Sequence, residues 1–177
     1  MQRVQDLERA APRTRARRWR IAGIALVIAV IGAACGPRVS AGPPACVGPA
    51  TPPDAISANI LTLTNADRAA NGLGPLSWNP QLWCLASEWS TQLAGVGSLS
   101  HRDLNTVIRT SAYNAYRALG ENLLRGPQSL APEAMESAWM NSSGHRANIV
   151  GGQFNTLAVA YTMSGDGQIF VTVNFGG

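Results

Sequence analysis

The sequence predicts an α+β domain in which helices pack on a small antiparallel sheet. Three observations predict it. Two well-capped stretches early in the chain carry apolar residues at helical spacing, a third follows past the middle, and two β-rich runs separated by a turn close the chain. Helices first and paired strands last is the order of a layered α+β domain, not of alternating βα units.

Taken in order, Asp54 follows a Pro pair and is a good N-cap. Ile56, Ile60 and Leu63 then recur on one helical face, and Asn71-Gly72 ends the helix. Asn79 with Pro80 announces a second helix, whose apolar stripe is Leu82, Leu85, Ala86, Trp89 and Leu93. Trp83 and Cys84 lie off the centre of that stripe, and Gly95-Val96-Gly97 stops it. Residues 98–128 carry no clean period, and Asn105 to Arg117 reads as either a helix or an ordered loop. The third helix begins at Ser129 or Ala131 and has Pro132 and Glu133 in its first turn. It points Met135, Ala138 and Trp139 inward and ends near Ser142-Ser143-Gly144. Leu157 to Thr162 and Gln168 to Phe175 are the strand runs, joined by Ser164-Gly165-Asp166-Gly167 as a hairpin turn.

The chain ahead of this domain reads as an export signal and a linker. Ile21 to Cys35 is apolar and uncharged, and follows an Arg-rich head. As a helix it spans ~22 Å, short of a ~30 Å hydrocarbon core. Arg-rich head, short apolar run and small residues are the layout of a secretory signal. Two processing routes stay open, beside retention of the segment as an uncleaved anchor. Val39-Ser40-Ala41 suits an ordinary signal peptidase, and Gly32-Ala33-Ala34-Cys35 resembles a lipobox, with Cys35 as the lipidated residue. The organisation is thus residues 1–35 as signal peptide or lipoprotein signal, 36–53 as a Pro/Gly-rich linker, and 54–177 as the domain. The product is exported, either secreted or lipid-anchored at the cell envelope, and meets a membrane only through that N-terminal signal or anchor. In an oxidising compartment Cys46 and Cys84 can pair.

Charge excludes one large class of function. All fourteen cations are Arg. Seven of them stand in residues 1–20 against two acids, and the remaining seven face eight acids. The basic balance therefore belongs to the tail. The domain lacks the electrostatic footprint that phosphate binding needs, so nucleic acid is not an expected partner. Oligomeric state is not legible.

Two histidines are the whole imidazole inventory: His101 in Ser-His-Arg and His145 in Ser-Ser-Gly-His-Arg. Each sits at the edge of a helical stretch in Ser- and Gly-rich surroundings. Glu121 lies between them, just before the apolar pair Leu123-Leu124. A carboxylate against a core element needs a partner, because an unpaired charge there costs several kcal/mol. Two imidazoles and a carboxylate, brought together, hold a divalent ion such as zinc with open positions, or serve acid–base chemistry. Spacing alone does not show that they meet.

Asn65-Ala66-Asp67-Arg68, His101, Gly120-Glu121-Asn122 and Trp139-Met140-Asn141-Ser142-Ser143-Gly144-His145-Arg146-Ala147-Asn148-Ile149 occur in the order seen in one family. In these residues the chain resembles the CAP superfamily (SCP domain: cysteine-rich secretory proteins, antigen 5, plant pathogenesis-related proteins), in its bacterial branch. The resemblance runs from about Ala58 to the end. It implies a three-layer α-β-α sandwich and a cleft lined by two His and two Glu. His101 and His145 match the histidines and Glu121 one glutamate. The position of the second glutamate, three residues after the tryptophan, is Ser142 here. The resemblance implies a ligand-binding module for a small apolar or lipid ligand, a wall component or a divalent metal, more than an enzyme. The alternative is a metal- or His-dependent, peptidase-like hydrolase acting outside the cytoplasm. Trp78, Trp83, Trp89 and Trp139 read as packing residues. Asn65 and Arg68 read as ties from the first helix to a neighbouring segment, and Arg146 and Asn148 as braces around His145.

Overall fold

Two side-chain caps start the helical part of the fold as the sequence predicts. The structure is a computed structural model that describes residues 46–177. The signal, Cys35 and the first part of the linker lie outside the described residues. Asp54 accepts from the Ser57 amide at 2.9 Å and opens α1, Ala55–Ala70. Asn79 accepts from the Gln81 and Leu82 amides at 2.9 and 3.1 Å and opens α2, Pro80–Val96, after the two-residue strand β1, Ser77–Trp78. Gly97 ends α2 at φ 70°, a left-handed conformation that costs glycine nothing. A short helix α3, Leu104–Val107, gives way to turns. Then follow β2 (Leu119–Pro127), α4 (Pro132–Met140), α5 (Ser143–Ile149), β3 (Thr156–Met163) and β4 (Gln168–Gly176).

The sheet order is β1-β3-β4-β2. β2, β4 and β3 are antiparallel, and β1 adds a short parallel pair on β3, so the sheet is mixed at one edge. Alternate residues of β4 point to opposite faces, the period-two rule of strands. Ile169, Val171, Val173 and Phe175 enter a core with Ile60 of α1, Met135 and Trp139 of α4 and Ile149 of α5. Phe170 joins Leu123 and Leu93 of α2 on the opposite face. Helices thus cover both faces, giving the α-β-α sandwich.

The structure corrects several local expectations. The buried line of α1 is Ser57, Ile60, Thr64 and Arg68, so Leu63 is not a core position. In α4 Ala138 is exposed and Glu136 takes the inward place. Of the segment from Asn105 to Arg117, only its start is helical. Cys84, read as off the centre of the α2 stripe, is buried there, and its expected bond to Cys46 is present. β1, β2 and α5 were not foreseen. β2 is buried over Gly120–Leu124 on both faces, so no alternation marks it. α5 has seven residues and no side-chain N-cap bond.

The ties expected of α1 are present. Asn65 donates to the Leu76 carbonyl at 3.0 Å and accepts from its amide at 2.7 Å. Arg68, buried, donates to the carbonyls of Gly74, Ile149, Gly151 and Phe154 at 2.8–3.3 Å. Of the tryptophans, Trp139 is buried and donates to the Leu123 carbonyl at 2.9 Å. Trp78 donates to the Pro49 carbonyl at 2.9 Å, which holds the segment before α1 against β1.

Candidate functional site

The free edge of β2 is where the two histidines meet. His101 lies in the segment after α2, on the α2 side of the sheet, and His145 is carried by α5, on the other side. Their ring centroids are 6.1 Å apart, with planes tilted by 51°. Glu121 stands between them in sequence and behind His101 in space. The β2–β4 register sets it opposite Asn174, and alternation sends it with Leu123 towards α2.

His101 Nδ1 and Glu121 Oε1 are 2.8 Å apart, and the Arg102 amide donates to the same oxygen at 3.2 Å. A carboxylate only accepts, so Nδ1 carries a proton, and in the neutral ring Nε2 is the nitrogen with the lone pair. The exposures differ sharply: 59% for the His101 side chain against 2% for that of Glu121. His101 therefore faces solvent while its orienting group is buried. Burial, and then repulsion by His101, lowers the pKa of His145. A neutral imidazole is the ligating form.

Asparagines brace the other half. Asn148 donates to the Glu121 carbonyl at 3.1 Å and to Asn122 Oδ1 at 2.9 Å, and Asn122 donates to the His145 carbonyl at 3.1 Å. This stitches α5 to the edge of β2. Gly120 permits the approach, because a Cβ there would lie 2.9 Å from Asn148 Oδ1 and 2.8 Å from Phe154. Arg146 donates to Asn71 Oδ1 at 3.0 Å and ties α5 to the end of α1. Ser142 is the half-buried N-cap residue of α5, and its hydroxyl makes no cap bond.

The three named groups converge, but not as three ligands. Among the described residues, no group of three or more His, Cys, Asp or Glu is arranged to hold a metal ion. The expected His–Glu–His ligand set is corrected to an imidazole pair with a carboxylate behind one ring, because Glu121 Oε1 is engaged by Nδ1 and the Arg102 amide. Two imidazoles bound tetrahedrally to one zinc at ~2.0–2.1 Å have ring centres roughly 5 Å apart, so at 6.1 Å the observed pair would have to close slightly to share an ion.

The order of elements and the paired histidines can now be set beside known proteins. The family model of the cysteine-rich secretory protein family, CAP, matches residues 61–175. The chain belongs to the CAP family. A curated relative, the uncharacterized protein YkwD of Bacillus subtilis (strain 168), is 32% identical over an alignment of 120 residues that covers 64% of this chain. The match spans 46% of that protein, so the chain covers about half of its length. An extracellular protein containing a SCP domain from Bacillus anthracis str. Ames is 28% identical at TM-score 0.56, over 68% of this chain and 40% of that one. The structure of NaASP2 with Zn2+ aligns at TM-score 0.52 and 14% identity, over 70% of this chain and 83% of that one. At that identity the likeness is one of fold.

Within this CAP domain Glu136 does not stand in for the glutamate that Ser142 replaces. It faces α1, where Thr64 Oγ1 donates to its two oxygens at 3.0 and 3.2 Å. With Asp67, Glu133, Leu63 and Met140 it lines a separate pocket of about 310 Å³. Burial pushes the Glu136 pKa from 4.5 up to about 7, opposed by the Thr64 hydroxyl and aided by the Asp67 charge. An acid whose folded pKa is raised stabilises the fold below its unfolded pKa and loses that contribution as pH rises through the folded one. Stability should therefore fall between about pH 4.5 and 8, by up to about 3 kcal/mol at 1.36 kcal/mol per pKa unit. His145, with its lowered pKa, acts in the opposite sense. Glu136→Gln isolates the glutamate: denaturation of the variant should show a flatter or rising dependence and higher stability than wild type at pH 8. Equal slopes in both proteins would contradict the assignment.

Proposed function

We propose that this CAP domain is an exported ligand-binding module whose His101–His145 pair takes a divalent ion such as zinc. The observation that carries the reading is the pair itself: two rings 6.1 Å apart at a strand edge, one exposed and held by a buried carboxylate. Metal-ligating histidines characteristically donate their other ring nitrogen to a carboxylate or carbonyl, and His101 does so to Glu121. NaASP2, of the same fold, is described with Zn2+. A bound ion would supply Lewis acidity and a site for a carboxylate, headgroup or wall-derived oxygen at its open positions. His101 and His145 would hold it, Glu121 would orient His101, and Ser142 stands at the start of α5, three residues before His145. Whether the physiological occupant is a metal, a lipid or a wall component is decided by what the purified chain carries, read by native mass spectrometry and lipid extraction. The Cys46–Cys84 disulfide and the extracellular Bacillus anthracis relative support export, with secretion and Cys35 lipid anchoring as its two forms.

Calorimetry with zinc tests the reading. His101→Ala and His145→Ala should each abolish measurable binding. Glu121→Gln should weaken it about 10–100-fold, the usual effect of losing an outer partner of a ligating histidine. Absence of heat in the wild-type chain, or binding unchanged in both histidine variants, would overturn it. A hydrolase reading has one observation in its favour, the carboxylate-held His101 as a general base. Hydrolysis of peptide or peptidoglycan substrates that disappears in His101→Ala would establish it.

A further inference from the structure

Four buried side-chain polar atoms among the described residues lack a hydrogen-bond partner: Glu121 Oε2, Asn174 Oδ1, Thr172 Oγ1 and Arg102 Nε. The first three share the α2 face of the sheet. Glu121 and Asn174 are direct cross-strand partners, and Thr172 is two residues from Asn174 on the same face of β4. Arg102 meets Glu121 through its backbone amide, while its guanidinium lies 4.7 Å over the Trp89 ring and pairs with Glu88. Glu121 and Asn174 are 4% and 0% exposed, and Thr172 is 0% exposed. Across β3, Asn174 and Thr172 are paired with the buried Ala158 and Ala160.

The three atoms on this face have a definite valence. The carboxylate oxygen and the amide oxygen only accept, and the threonine hydroxyl can donate. Two acceptors and a hydroxyl suit one water molecule, which donates twice and accepts from the hydroxyl. Rotating the Asn174 amide would not serve equally well, because Nδ2 already reaches the Gly120 carbonyl at 3.4 Å. Unmet buried polar groups each cost about 1–3 kcal/mol, and ordered internal waters are how proteins commonly meet them.

We propose that these residues form a buried water site behind Glu121, and that Asn174 and Thr172 are thereby positioning residues for His101. The water ties Glu121 Oε2 to Asn174 Oδ1 and takes a hydrogen bond from Thr172. With Oε2 fixed, Oε1 stays aligned on His101 Nδ1, which locks the tautomer that presents Nε2 to the cleft. The functional weight of this site rests on the reading of His101 as a cleft ligand; the site itself does not.

A high-resolution crystal structure of the full chain tests the site. Water density is expected about 2.6–3.2 Å from Glu121 Oε2 and Asn174 Oδ1. No density there, or an Asn174 amide turned to donate directly to Glu121, would overturn it. Nitrogen-15 spectra of the full chain test the consequence, and with two histidines the signals are separable. Wild-type His101 should be the Nδ1–H tautomer. Asn174→Leu should shift the His101 tautomer ratio towards Nε2–H. Thr172→Val, which keeps strand propensity, should move it in the same direction by less. His145 should be unmoved in both. A wild-type His101 tautomer ratio in the two variants would overturn the positioning role, whereas failure of the wild-type chain to bind zinc would strike the proposed function and leave the water site intact.

Discussion

Arg68→Ala is expected to destabilise the folded chain by about 4 kcal/mol or more. The guanidinium is 3% exposed and has no carboxylate partner among the ion pairs of the described residues. It spends its donors on four backbone carbonyls, those of Gly74, Ile149, Gly151 and Phe154. Truncation leaves the Gly74, Ile149 and Phe154 oxygens without this donor and Gly151 with only the Phe154 amide at 3.4 Å, at about 1–3 kcal/mol for each that water cannot reach. The charge is also well placed: Ile149 is the last residue of α5, where the negative end of the helix dipole favours a cation. Arg68→Lys keeps the charge but cannot reproduce a fork of several bonds, so it should recover only part of the loss. Because α5 carries His145, both variants should also weaken zinc binding. Chemical denaturation checks the first claim, and a loss below about 1 kcal/mol would show that the carbonyls find other partners.

The second large effect concerns the segment before α1. Cys46 and Cys84 are bonded at a sequence separation of 38, joining that segment to α2. Closing a loop of this length removes roughly 4 kcal/mol of denatured-state entropy on the chain-entropy account. Cys46→Ser should lower stability by about that amount in oxidised protein, and reductant should lower wild type to match. Coincident unfolding curves for wild type and variant under oxidising conditions would contradict it. Trp78 should report the same change, since its Nε1 donates to the Pro49 carbonyl inside the closed loop.

Much of the fold was legible because its signals are local. Asp54 and Asn79 announce their helices by cap chemistry within three residues, and the closing hairpin carries Gly167 at φ 79° where the turn needs it. What was not legible depends on partners distant in sequence. β2 contains Gly120, Glu121, Asn122, Gly126 and Pro127, poor strand formers, and it exists because β4 supplies nine register partners. α5 is too short to hold itself and is fixed by Arg68, Arg146 and Asn148. Glu136 replaced Ala138 as an inward residue because α1 offers Thr64 opposite it, a pairing no helical period discloses.

The site followed the same division. The residue types of His101, Glu121 and His145 suggested metal or acid–base chemistry, but the roles came from geometry. Sequence pattern treated the carboxylate as an equal member of the set, and the structure makes it the orienter of one ring. Asn174 carried no signal of its own, and Asn122 entered only as part of Gly120-Glu121-Asn122. An Asn in a strand is unusual, and two of them, buried and beside the same Glu, are the trace that was available.

Zinc-edge anomalous diffraction from a crystal of the full chain soaked with zinc tests the central claim most directly. The account predicts one strong peak at about 2.0–2.1 Å from a ring nitrogen of both His101 and His145, with the Glu121 carboxylate still bonded to His101 Nδ1. A peak bound to one ring alone, or in the acidic pocket of Glu136, would contradict it.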